Sequence, residues 1–312
     1  MGARMAMIAT TDGPATWHLV QFSEQLCAWR SEGVLRGMEL LLVHQTVVDA
    51  AFLDRLPNLK GIIRLGVGYD KVDLEACRAV GVSVTNLPAY CTEEVALSAL
   101  AFVLDWSRGH GELEANLKGD PRRWQRHSLG RIRGAKDVCV GVVGAGRIGS
   151  QVMRLAGALG FRVLAYDPHV RLQEGQVDDL ETLLQTADVV TLHVPLNGQT
   201  AGLIDASFIG AMQPGALLVN TARGGLLGDA NALLHAIEQR GLCACFDVLP
   251  EEPEVERSPL FQHWQRGTFA GRLRITPHNA FHSQQSAHQL LLDARKELDH
   301  FQEFGVFTSP VL

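Results

Sequence analysis

No run of roughly twenty consecutive apolar residues occurs in the 312-residue chain, so nothing in it is expected to span a membrane as a helix. Basic residues are in deficit. The 28 Lys and Arg against 34 Asp and Glu leave a net charge of −6, which gives no reason to expect nucleic acid or an acidic membrane as a partner. The opening residues carry Arg4 but too short an apolar run for a secretory signal. Met5 and Met7 stand where a myristoylation pattern after Met1-Gly2 wants a Ser or Thr nearby. A second cysteine pair is also missing. The six cysteines are scattered at 27, 77, 91, 139, 243 and 245. Cys243 and Cys245 alternate as two residues on one face of a buried strand would, and no second pair completes a metal site. His278 and His282 are spaced as a helical metal pair but have no third ligand nearby. Reduced thiols in a cytoplasmic enzyme are the expectation. There is no short-period repeat and no low-complexity tract. What remains is an ordinary globular composition, 46% hydrophobic and 20% charged, with length enough for two cores.

Strands and helices alternate along almost the whole length, the pattern of a doubly wound α/β protein. Residues 38–43, 59–65 and 82–85 are expected strands of a first unit, with a short helix over 74–80. A longer helix begins after Thr92-Glu93-Glu94 and runs through Val95, Leu97, Leu100, Ala101, Val103 and Leu104. The polar stretch 107–133, with Arg122-Arg123-Trp124 and four glycines, is expected to be irregular and to cross between domains. Strands of a second unit are expected at 137–143, 161–166, 187–193, 216–220, 243–248 and 273–276, with helices near 178–186, 205–212 and 229–240. The helical spacing of 287–304 should carry the chain back to the first unit. The expected domains are 1–104 with 287–312, and 105–286.

The most informative stretch is Gly144-Ala145-Gly146-Arg147-Ile148-Gly149. A nearly all-apolar strand precedes it, as a parallel strand buried on both faces requires. Ile148, Val152, Leu155, Ala156 and Leu159 then recur at helical spacing until Gly160. Gly144 allows the tight turn, Gly146 lets backbone approach a pyrophosphate, and Gly149 permits close packing. The helix N-terminus offers free amides and partial positive charge to phosphates. Asp167 closes the next strand, where a carboxylate accepts from ribose hydroxyls and repels a 2′-phosphate. NAD is therefore favoured over NADP, although Arg171 lies four residues on.

Three clusters come directly after apparent strands, where open α/β sheets place their ligands. They are Asn220-Thr221-Ala222-Arg223-Gly224-Gly225, Asp247 to Pro253 with Glu252, and Thr276-Pro277-His278-Asn279. Arg grips a carboxylate with two parallel hydrogen bonds. A histidine passes protons near neutral pH, and a partnered carboxylate fixes its tautomer and favours its charged form. Singly, Arg223 would suit a solvated turn, Glu252 a surface acid and His278 a loop histidine. Their joint placement on three sheet edges suits carbonyl reduction.

These motifs, together with 65–75 and 84–88 in the first half, resemble the D-2-hydroxyacid dehydrogenase family over nearly the whole chain. The resemblance implies a Rossmann NAD-binding domain and a flavodoxin-like substrate-binding domain completed by the C-terminal helix. It implies Arg223, Glu252 and His278 as catalytic set. It places Gly144, Gly146, Arg147, Ile148, Gly149 and Asp167 on the cofactor, with His193, Val194 and Pro195 on its adenosine side. Thr221, Ala222, Arg223, Asp247 and His278 would complete the cofactor site, Asp247 towards the nicotinamide. The amides of Val67 and Gly68 would hold the substrate carboxylate opposite Arg223. The implied reaction is hydride transfer between NAD(H) and a 2-oxoacid or D-2-hydroxyacid, in a homodimer joined through about 105–134.

Some residues depart from the family pattern. Leu97 stands where many members carry an acid, and the segment from Glu252 to His278 is longer than usual. Phe281 and Tyr90-Cys91-Thr92-Glu93-Glu94 are similar to the C-terminal-binding-protein branch, so an NAD(H)-sensing binding protein with little turnover is the second reading. Glu252, where formate dehydrogenases have Gln, and Val67, where phosphite dehydrogenases have Lys, argue against those two activities.

Overall fold

The computed structural model describes residues 8–10, 26–28, 37–124 and 132–312; the opening residues 1–7 and residues 125–131 of the expected crossing segment lie outside these. Two compact units divide the chain: Met1–Cys91 with His282–Leu312, and Thr92–Phe281.

In the first unit, strands β1 (Ile8–Thr10), β2 (Leu26–Ala28), β3 (Leu40–Val43), β4 (Gly61–Arg64) and β5 (Ser83–Asn86) form one sheet in the order β2-β1-β3-β4-β5. Every pairing is parallel. This is the flavodoxin-like order. Side chains alternate between faces along each strand. Leu41, Val43, Ile62 and Val84 therefore join one core, and Leu40, Leu42, Ile63 and Leu65 another. The second core is closed by the helix Gln284–Phe304, whose Leu290, Ala294, Leu298 and Phe301 recur on one face. Ser283 and Ser286 start that helix with reciprocal caps, and Gly305 ends it at φ 72°.

In the second unit, β6 (Cys139–Val143), β7 (Arg162–Tyr166), β8 (Val189–Leu192), β9 (Leu217–Asn220), β10 (Cys243–Phe246) and β11 (Leu273–Ile275) pair in the order β11-β10-β9-β8-β6-β7, again all parallel. Beyond β7 a single parallel bridge joins Ala165 to Gln176, in the place a third Rossmann strand would take. The sheet's four central strands β10, β9, β8 and β6 are buried on both faces. Leu218, Ala244 and Phe246 face one core, while Leu217, Val219, Cys243 and Cys245 face the other. The two cysteines thus share a face.

Two boundaries differ from those expected from sequence. The helix Thr92–Arg108, which the sequence pattern assigns largely to the first domain, packs Ala96, Ala99, Leu100 and Val103 into the second unit's core with Val140, Val152 and Ala156. The division therefore falls at 91/92 and 281/282 rather than 104/105 and 286/287. The stretch expected to be irregular contains the helix His110–Gly119 and a turn of 3-10 helix at Pro121–Arg123. No residue of the first is fully buried, so it has no apolar stripe for a sequence to display. Gly109, at φ 65°, separates it from the helix before, and Glu114–Lys118 supports it with an ion pair one turn apart at 2.7 Å.

Strand register aligns the loops that carry the chemistry. Ile275 pairs with Phe246, Phe246 with Asn220, Asn220 with Leu192, Leu192 with Val143, and Val143 with Tyr166. These six residues form one row across the C-terminal edge of the sheet. The glycine turn, Asp167, His193 and the three chemistry-bearing clusters all leave the sheet from that row. The strand order reverses between β6 and β8, the switch point at which such sheets open a crevice.

Candidate active site

The glycine turn leaves the row at Val143. Gly144 has φ 94°, and a Cβ there would lie 2.8 Å from the His193 carbonyl oxygen. At Gly149 a Cβ would stand 1.8 Å from the Gly144 carbonyl oxygen. Both glycines are thus demanded by the protein's own packing. Gly146 is not, since nothing lies within 4 Å of the Cβ it lacks. It caps the helix Arg147–Ala158 without any side-chain hydrogen bond. Open room before uncapped amides fits a dinucleotide's pyrophosphate. Arg147 is exposed at the first helical position, and Ile148 is half-buried against the core.

Asp167 comes directly after β7. Its Oδ2 accepts from Ala145 N at 2.7 Å, and its Oδ1 accepts from His169 N at 2.8 Å and Val170 N at 3.0 Å. The carboxylate therefore ties the glycine turn to the next loop and keeps part of its acceptor capacity for ribose hydroxyls. From β8 come His193, Val194 and Pro195. His193 and Val194 abut Gly144, and Thr191 Oγ1 lies 2.9 Å from His193 Nε2. Burial pushes the His193 imidazole down to about 4, so it is neutral at neutral pH.

Beyond β9, buried Asn220 shapes the arginine turn. Its Oδ1 accepts from Ala222 N at 3.0 Å, and its Nδ2 donates to Arg223 O at 2.8 Å. Arg223 is half-buried, with Nη1 donating to Ala222 O at 2.7 Å. Thr221 keeps a buried hydroxyl without a hydrogen-bond partner, an orphan that a ligand at this edge would satisfy. A Cβ on Gly224 would lie 2.1 Å from Leu249 O, so only glycine lets the β10 loop press against this turn.

That loop carries Glu252. Its Oε1 accepts from Leu249 N at 2.8 Å, and its Oε2 lies 2.7 Å from His278 Nδ1. Burial alone would raise the Glu252 pKa. The hydrogen bond from His278 and its charge, the Leu249 amide and the Arg223 charge outweigh burial and hold the carboxyl below the usual range. An ionised carboxylate only accepts, so Nδ1 is the donor and Nε2 is left for a substrate. The Arg223 charge reaching Glu252 and the Glu252–His278 bond bring the three expected catalytic residues together. His278 itself has φ 50° and is the one non-glycine residue with positive φ among the described residues. Such backbone costs about 1–3 kcal/mol and persists only where its surroundings impose it. Phe281 meets the His278 ring edge-on, with centroids 6.3 Å apart.

Asp247 is 2% exposed and accepts from Thr276 Oγ1, Asn279 N and Ala280 N. The supporting roles of Thr276 and Gly224 cannot be read from the sequence, because each depends on strand register. Val67 and Gly68 lie in the first unit, in the loop after β4, where Asn86 Nδ2 donates to Val67 O at 2.6 Å.

Residues 100–280 match the model of the D-isomer specific 2-hydroxyacid dehydrogenase NAD-binding domain. The chain belongs to that family. Residues 100–280 are accordingly its NAD-binding domain. Among similar proteins, the D-3-phosphoglycerate dehydrogenase of Mycobacterium leprae is 39% identical over 247 residues, 77% of this chain and 44% of that protein. The match thus covers less than half the length of the D-3-phosphoglycerate dehydrogenases of Mycobacterium leprae and Archaeoglobus fulgidus. The (S)-sulfolactate dehydrogenase of Chromohalobacter salexigens is 38% identical over 233 residues, 72% of this chain and 74% of that one. A D-lactate dehydrogenase structure from Aquifex aeolicus, complexed with NAD and lactic acid, superposes with a TM-score of 0.80 at 27% identity, covering 96% and 98% of the two chains. No helix among the described residues is long and apolar enough to cross a membrane.

Proposed function

We propose that this family member is an NAD-dependent oxidoreductase that passes a hydride between NAD(H) and a 2-oxoacid or D-2-hydroxyacid. The observation that carries the reading is the Glu252–His278 hydrogen bond beside Arg223, on the sheet edge from which the glycine turn also leaves. The similar proteins are named for phosphoglycerate, sulfolactate and lactate, all 2-hydroxyacids. When bound, the nicotinamide supplies the hydride. In reduction, Arg223 grips the substrate carboxylate and carbonyl side. His278 Nε2 hands a proton to the carbonyl oxygen, and Glu252 stabilises the imidazolium before transfer. We extend the proposal to a homodimer formed through 105–134, a segment that exposes 65% of Trp124.

The proton step has a pH signature. Glu252 stays ionised below the usual carboxylate range, so its negative charge faces His278 across the whole working range. Reduction needs the imidazolium, and activity falls as pH rises and that form is lost. Glu252→Gln removes the counter-charge, and the proton is then held less tightly. The alkaline fall in kcat/KM for reduction should move to lower pH. An unmoved profile in the variant would remove Glu252 from the proton step.

Cofactor choice is assigned to Asp167. Asp167→Ala should raise the NADH KM about tenfold or more, the scale of a lost hydrogen bond to a charged group, and relax discrimination against NADPH. Native protein that already prefers NADPH would contradict the assignment.

A further inference from the structure

The strands β10 and β11 end side by side at Phe246 and Ile275, so Asp247 stands directly beside Thr276. Asp247 is 2% exposed, and both its oxygens are engaged by the histidine segment. Oδ1 accepts from Thr276 Oγ1 at 2.5 Å and from Asn279 N at 3.0 Å. Oδ2 accepts from Ala280 N at 2.8 Å, and the Asp247 carbonyl accepts from His278 N at 2.8 Å. Four hydrogen bonds accepted by one residue thus bracket the turn on both sides of His278. The turn they bracket holds His278 at φ 50°, a conformation uncommon outside glycine. With φ imposed there, the ring lies with Nδ1 2.7 Å from Glu252.

We infer that Asp247 is a positioning residue for His278: its buried carboxylate clamps residues 276–280 and so aims the imidazole at Glu252. The Thr276 hydroxyl is the clamp's second half. The inference rests on the proposed proton-donor role of His278. It is independent of the nicotinamide role that the family resemblance implies for Asp247, since three hydrogen bonds leave the carboxylate an acceptor site unused.

In Asp247→Asn the amide oxygen can still accept from Thr276 and Asn279, but its NH2 then meets the Ala280 N–H, donor against donor. The turn opens at that point. Two readouts on the full-length protein separate aiming from cofactor binding. One is the low-field proton resonance of His278 Nδ1–H in its hydrogen bond to Glu252. The other is NADH affinity by calorimetry. The expected result is loss of the resonance, with or without a change in NADH affinity. The kcat for 2-oxoacid reduction should fall about hundredfold, the scale of a misplacement near 1 Å. An intact resonance overturns the inference, whether NADH binding weakens, as for a nicotinamide ligand, or stays as it was. Thr276→Val removes one clamp bond without adding a donor and is read if Asp247→Asn does not fold. It should weaken the resonance and lower kcat in the same direction by less, and a native-like resonance there overturns the inference too. If native protein reduces no 2-oxoacid, the proposed function fails, while the resonance still decides the clamp.

Discussion

Replacing His278 with alanine should lower kcat for 2-oxoacid reduction by about a hundredfold or more, the usual scale for losing a positioned general acid. NADH affinity should stay nearly intact, because the glycine turn, Asp167 and the open room at Gly146 belong to other strands of the same edge. The size of the effect comes from the geometry. Glu252 fixes Nδ1 as donor from 2.7 Å. His193, at the same edge but three strands away in the order, is held neutral by burial and cannot take over a proton donor's work. Alanine is strained at φ 50°, so a second variant is needed to separate loss of the ring from loss of the turn. Asn tolerates left-handed backbone, and His278→Asn should be as slow as His278→Ala while matching native thermal stability more closely. Stopped-flow and steady-state rates of NADH consumption check both. Native-like kcat in either variant would take His278 out of the reaction.

The second large effect is expected at Arg223. Arg223→Lys keeps a positive charge but not the planar fork, and a point charge cannot reproduce bidentate recognition of a carboxylate. Hydrogen bonds to charged groups are worth about 1.5–3 kcal/mol, so kcat/KM should fall about tenfold to hundredfold. The guanidinium is also locally built in, with Nη1 donating to Ala222 O and the turn below it fixed by Asn220. Lysine has no equivalent anchor, and its looser ammonium should raise KM for the 2-oxoacid as well as lower kcat. Steady-state kinetics over a range of 2-oxoacid concentrations separate the two. Unchanged kcat/KM in Arg223→Lys would move substrate recognition elsewhere.

The parts of this protein legible in its sequence are those written in local pattern. The strand, glycine turn, helix and terminal acid around 139–167 are consecutive, so their spacing alone specifies them. The same holds for the C-terminal helix, whose Leu290, Ala294, Leu298 and Phe301 repeat at helical spacing. Illegible elements have little of such pattern. β1 and β2 are three residues each, too short for alternation to stand out. The helix His110–Gly119 buries no residue fully and so shows no stripe. The domain boundary moves for another reason. An amphipathic helix such as Thr92–Arg108 declares that one face is covered, but not which sheet covers it. In the candidate site, Arg223, Glu252 and His278 stand out as chemistry-bearing residues after apparent strands. Gly224 and the Asp247–Thr276 clamp do not, because their partners meet them only once β9, β10 and β11 are in register.

The central claim is that the protein reduces 2-oxoacids with NADH. Its most direct test is steady-state consumption of NADH with a panel of 2-oxoacids such as pyruvate, glyoxylate and hydroxypyruvate, with the configuration of any chiral product determined. The expected result is turnover of at least one of them, a D-2-hydroxyacid wherever the product is chiral, and loss of that turnover in His278→Ala. NADH binding without consumption by any 2-oxoacid would contradict it and leave a nicotinamide-binding protein that uses the same fold without the chemistry.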